Sequence, residues 1–182
     1  MRFVVTGEWT RNRLLMAIVW LFLLYTTLLW ITNGMLYFKN MTLDPQSVVT
    51  YYLGDEASYR QGRSYGGLLE VAHAHLFAMG VLLLTLTHLL LFVPMDMDRK
   101  AILIVITFFA GLVNEAAGWM VRFVHPAFAY AKVGGFLVLE SSILLLMVLT
   151  ARAMLTTAPS AYTQGQKSNS RPDAIEEPAG DS

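Results

Sequence analysis

The chain has 182 residues, 55% hydrophobic and 14% charged, and its 13 basic and 13 acidic residues cancel to a formal charge of zero. With a positive mean hydropathy, that composition belongs to the polytopic membrane class and gives no electrostatic pull towards nucleic acid. There is no cysteine, which excludes disulfides, thiolate metal sites, iron–sulfur clusters and covalent c-type haem attachment within the chain.

Residues 1–13 are polar and carry Arg2, Arg11 and Arg13. The first apolar run, 14–36, is too long for a signal-peptide core and has no small-residue cleavage pattern behind it, so it reads as a retained membrane helix. Residues 37–67 form an outer loop punctuated by Asp44-Pro45, Gly54-Asp55 and Gly66-Gly67. Within it, Asp44 as a cap and Pro45 at the first position predict a short interfacial helix to Leu53, and the loop tyrosines suit a headgroup-level belt.

The second span, 68–93, holds one carboxylate and three of the four histidines, so it is the helix around which the site is expected. At about 100° per residue, Glu70, His73, Phe77, Gly80, Leu84, Thr87 and His88 share one side, and His75 points nearly the opposite way. A tight turn from Pro94 to Lys100 leads to the third span, 101–121, which is interrupted by Asn114 and Glu115. The fourth, 127–149, follows His125-Pro126 and contains Lys132 and Glu140. Residues 155–182 have no apolar period and the composition of a disordered tail.

Four spans put Arg2, Arg11, Arg13, Arg99, Lys100, Arg152, Lys167 and Arg171 on one side, against Lys39, Arg60, Arg63 and Arg122 on the other. That bias predicts cytoplasmic N- and C-termini. His73, Glu115 and Lys132 then lie roughly 8–10 Å inside the outer ends of their helices, with Arg122 and His125 at the rim. On the third span Gly111, Glu115, Gly118, Trp119 and Arg122 share a face. Three uses of this cluster compete. It is an ion-paired lock, Glu115 with Lys132 or Arg122; or a metal or haem site in which a carboxylate orients imidazole; or a quinol site where His and Glu take protons while Trp119 and Phe77 stack on a flat ring.

The spacing of His73 and His88, ~22 Å apart along one helix, resembles the paired histidines of di-haem b-type cytochromes. The similarity is partial, because the other spans offer no histidine. An outer haem would use His73 or His75 with His125, and an inner one at His88 would need a partner chain or a Met such as Met16 or Met154. A second resemblance is carried by Glu70-Val-Ala-His-Ala-His-Leu-Phe-Ala-Met-Gly80, with Gly111-x-x-x-Glu115-x-x-Gly-Trp119 and Gly134-Gly135. It is similar to a group of small four-helix bacterial inner-membrane proteins over residues 14–150. The resemblance implies that fold and compartment and supplies no reaction.

The reading is therefore an all-α, polytopic four-transmembrane-helix bundle in the bacterial inner membrane. The expected function is a subunit or accessory protein of a respiratory or redox system, working with other membrane subunits or as a homo-oligomer. Its ligand, a b-type haem, a metal ion or a quinone, is expected at His73, His75, Glu115, Trp119 and His125, with His73 and Glu115 as the metal ligands. The alternative is a non-catalytic assembly protein in which Glu115, Arg122 and Lys132 only lock helices. No nucleophile–base pair or phosphate-binding glycine loop supports hydrolase or transferase chemistry.

Overall fold

The computed structural model describes residues 13–56 and 59–156. The polar start up to residue 12 and the tail from residue 157, expected to be disordered, lie outside the described residues. The elements in order are α1 (Arg13–Asn40), α2 (Pro45–Leu53), a hairpin of β1 (Gly54–Asp55) and β2 (Arg60–Gln61), α3 (Tyr65–Leu90), α4 (Met97–Phe123) and α5 (Phe128–Thr156). α1, α3, α4 and α5 are each long and apolar enough to cross a bilayer, so the fold is a four-helix transmembrane bundle.

Local chemistry sets the ends of these helices. Asp44 caps α2, its carboxylate accepting from the Gln46 N–H at 3.2 Å, and Pro45 fills the first position, where no donor is required. Ser64 caps α3 by accepting from the Gly67 N–H at 3.1 Å, so this span starts three residues before the sequence placed it. It also stops early. Leu91, Phe92 and Val93 each donate back three residues, at 3.1 Å, and this tightened turn precedes Pro94, which disfavours helix in the residue before it.

The sequence pointed to the second span as the organiser, but packing gives that position to α5. α5 meets α1, α2, α3 and α4, and its interface with α4 is the most extensive in the chain. Gly135 is what lets that pair approach. A Cβ there would lie 3.0 Å from the backbone nitrogen of Asn114 and 3.1 Å from its Cα, so the two backbones nearly touch.

Two apolar cores result. The first, towards the Pro94–Lys100 turn, is built from residues such as Val19, Leu23, Leu86, Leu90, Leu139 and Leu146. The second, at the end carrying α2, contains Tyr37, Val48, Tyr52, Leu68, Val121 and Phe136. Asn33 on α1, His75 on α3, and Asn114 and Glu115 on α4 fall between these two cores along their helices, and Lys132 on α5 lies at the level of the second.

Candidate functional site: a membrane-level cleft between the first and third helices

α1 packs chiefly on α5, and α3 on α4 and α5, without close packing of α1 against α3. The gap between them is a cleft of about 310 Å³, roofed by α2 and bounded by Asn33, Tyr37, His75, Asn114, Glu115, Trp119, Lys132 and Phe136. A smaller extension of about 80 Å³ shares Asn33, His75, Asn114 and Glu115 and runs on past Met79, Leu83 and Gly111. Leu36 and Val71 line the cleft, and Leu76 its extension, yet all three stay exposed on the lipid-facing surface. The cleft therefore opens sideways, into the bilayer.

The polar wall is held by links across three of the packed helix pairs. His75 Nδ1–H donates to Glu115 Oε2 at 3.2 Å, joining α3 to α4. A carboxylate can only accept, so this tautomer follows from the partner, and it leaves His75 Nε2 free as an acceptor when the ring is neutral. Lys132 Nζ donates to the Asn114 carbonyl at 2.8 Å, joining α5 to α4. The Asn33 amide donates to the Glu140 carboxyl and the Trp30 indole N–H to the Glu140 carbonyl at 3.0 Å, joining α1 to α5. Asn114 Oδ1 is buried with no partner.

Several expectations change here. His73, expected at the level of Glu115, is exposed on the outward side of α3 together with Glu70, Phe77 and His88. His75 is the histidine that turns inward, because α3 packs through Leu68, Ala72, Leu83, Leu86 and Leu90, a stripe that His75 continues. Most of the predicted stripe faces away from the bundle, while Thr87 is buried and Gly80 borders the extension of the cleft. Glu115 forms no ion pair with Lys132 or Arg122; its partner is His75, and Lys132 uses a backbone carbonyl instead. Arg122 has its Nε buried without a partner and its guanidinium 5.9 Å from the Phe123 ring centre.

The His73–Glu115 metal pairing is thus not formed: His73 is exposed on the outward face of α3, and Glu115 on α4 meets His75 on the inward one. Among the described residues no three His, Asp or Glu side chains gather as a metal ligand set, where protein metal sites use three or four. His125 stays on the α4–α5 connection, its Nδ1 accepting from the Ala127 N–H at 3.1 Å. Trp119 does line the cleft, with Tyr65 packed edge-on at 5.5 Å.

Asn33 was not among the expected site residues. Its signal was a neutral amide near the end of an apolar run, three residues after Trp30, the other group that reaches Glu140. Gly118, on the Glu115 face of α4, makes room for α2: a Cβ there would lie 2.6 Å from the Tyr52 hydroxyl. Tyr52 is consequently buried, and that desolvation pushes its phenol well above the ordinary tyrosine range, so the roof of the cleft carries a neutral hydroxyl.

Four apolar helices around a membrane-level polar cleft define a multi-pass helical membrane domain. Residues 42–161 match the family Aq_1264_TM, described as a transmembrane helical domain, and the chain belongs to that family. The match takes in α2 to α5, and with them His75, Asn114, Glu115 and Lys132, while α1 with Asn33 lies before it. No curated protein and no solved structure matches the chain.

Proposed function

We propose that this domain binds a quinone or quinol head in the cleft between α1 and α3, as a subunit or accessory protein of a membrane redox system. The observation that carries the reading is a cleft open to lipid whose wall holds an imidazole backed by a carboxylate. A lipid-soluble ring enters such a site from the bilayer, and about 310 Å³ suits a single ring head at the small end of ligand pockets. Neutral His75 accepts a hydroxyl proton at Nε2, and Glu115 stabilises the imidazolium that results. The aromatic side chains of Trp119, Tyr37 and Phe136 supply flat apolar walls; the last two are stacked at 3.7 Å. Electrons would pass to or from a partner subunit.

Protein purified from its native membrane in mild detergent should retain quinone on solvent extraction, at close to one per chain, with no Soret band in oxidised or reduced spectra. A Soret band with reducible α and β bands would replace this reading with haem. Empty extracts and featureless spectra would leave the second reading. That reading is favoured by the polar links across three packed helix pairs, α1–α5, α3–α4 and α4–α5, and makes the domain a helix-locked assembly protein.

The charge bias sets the orientation we propose in a bacterial inner membrane, with the α2 end outside and the Arg99-Lys100 turn in the cytoplasm. Gln61 and Asp98 are both exposed, at opposite ends of the bundle. In this cysteine-free chain Gln61→Cys should react with an impermeant thiol reagent in intact cells, and Asp98→Cys should react only after lysis. The opposite pattern would invert the topology and put the cleft at the cytoplasmic end.

A further inference from the structure

Two lysines are buried in the spans, Lys100 at 6% exposure and Lys132 at 8%. Each donates from Nζ to one backbone carbonyl at 2.8 Å, Lys100 to Leu91 and Lys132 to Asn114. The two carbonyls are not equivalent. Leu91 caps the C-terminus of α3, where a helix leaves carbonyls without intrahelical donors and its dipole is negative. Asn114 lies inside α4, where the carbonyl already accepts the helical bond from four residues on. Lys132 therefore sets three donors against one acceptor that is already engaged.

No carboxylate of a described residue completes its shell. Glu115 is close enough for its charge to be felt at Lys132 but hydrogen-bonds to His75 instead, and the Glu140 carboxyl bonds to Asn33. A buried charge compensated this sparsely is costly in any interior and more so in a membrane. The same lysine lines the cleft.

Resting on the quinone reading above, we infer that Lys132 is the docking point for an oxygen of the ligand head, and that the site favours quinone-type rings bearing an ionised oxygen over neutral ones. A ligand oxygen there supplies a further acceptor and brings negative charge into direct contact with the ammonium, which Glu115 does not. With Lys132 on α5 and the His75–Glu115 pair between α3 and α4, the ring meets a cation and a proton acceptor from different helices, which fixes its orientation.

Two naphthoquinones test this: neutral menadione, and lawsone, whose ring hydroxyl is ionised at neutral pH. Each is titrated into the purified chain in non-ionic detergent, followed by quenching of tryptophan fluorescence. The native chain should bind lawsone about tenfold more tightly than menadione, the worth of one hydrogen bond to a charged group. Lys132→Met should bring the ratio close to one, and Lys132→Arg should keep it. Lys132→Gln, which keeps a donor and loses the charge, answers the same question if the Met variant does not fold. The ratio is the readout because general loosening of the cleft weakens both rings alike. Equal binding of the two rings by the native chain, or a preference that survives loss of the charge, overturns the inference and leaves the quinone reading standing. If neither ring binds the native chain, both fall together.

Discussion

Gly135→Val should pull the α4–α5 pair apart, and Gly134→Val, one residue away, should not. At Gly135 an added Cβ meets backbone atoms of Asn114 at 3.0 and 3.1 Å and Val113 Cγ1 at 3.3 Å, whereas at Gly134 it meets nothing within 4 Å. Backbone on a facing helix cannot rotate out of the way as a side-chain tip can. The valine methyls therefore force separation along the most extensive interface in the domain. Overpacking of this kind costs about 1–3 kcal/mol, and this site belongs at the upper end. Unfolding in detergent, followed by circular dichroism against temperature or added dodecyl sulfate, compares the two variants. Equal midpoints would mean that the close approach at Gly135 contributes nothing to stability.

The second large effect separates the neighbouring histidines. His75→Ala should remove retained quinone, because it takes away both the acceptor at Nε2 and the partner of Glu115. His73→Ala should leave retention unchanged, since that side chain lies on the outward face. A moderate stability loss of about 1–2 kcal/mol should accompany His75→Ala, the range found for hydrogen bonds between membrane helices. Ligand content per chain and melting temperature measured on both variants decide the matter. Loss of ligand in His73→Ala with retention in His75→Ala would reverse the assignment.

That exchange of histidines shows what the sequence carries and what it lacks. Four spans were legible because apolar length is a property of each segment alone, and α2 was legible because Asp44-Pro45 is local capping chemistry. The inward face of α3 was not. In water a polar stripe marks the solvent side and an apolar stripe the core, but lipid is as apolar as leucine, so that contrast disappears. α3 packs through leucines and also exposes leucines such as Leu69, Leu76 and Leu84. Glu70 and His73 lie within three turns of its start, near enough to the headgroups to face outward.

The membership of the polar layer was legible in part. Glu115, Trp119 and Lys132 stood out as polar or amphipathic groups in or near apolar runs, and all three line the cleft. Their partners did not stand out. Lys132 bonds to a backbone carbonyl, which every residue has, and Glu140 is met by a neutral amide on a helix more than a hundred positions earlier. Pairing by opposite charge, the natural guess, had no means of finding either.

Those long separations bear on how the chain is made. Thr27, Trp30 and Asn33 on α1 reach Met147 and Glu140 on α5 across 120, 110 and 107 positions. α1 is translated before α5, yet its polar partners are on α5. At roughly 5–20 residues per second, a nascent chain takes on the order of 5–20 s to supply them. For that interval an indole N–H and a carboxamide wait in the bilayer beside the translocation machinery. The first helix is held in reserve until the last one arrives, and the cleft comes into being only when the two meet.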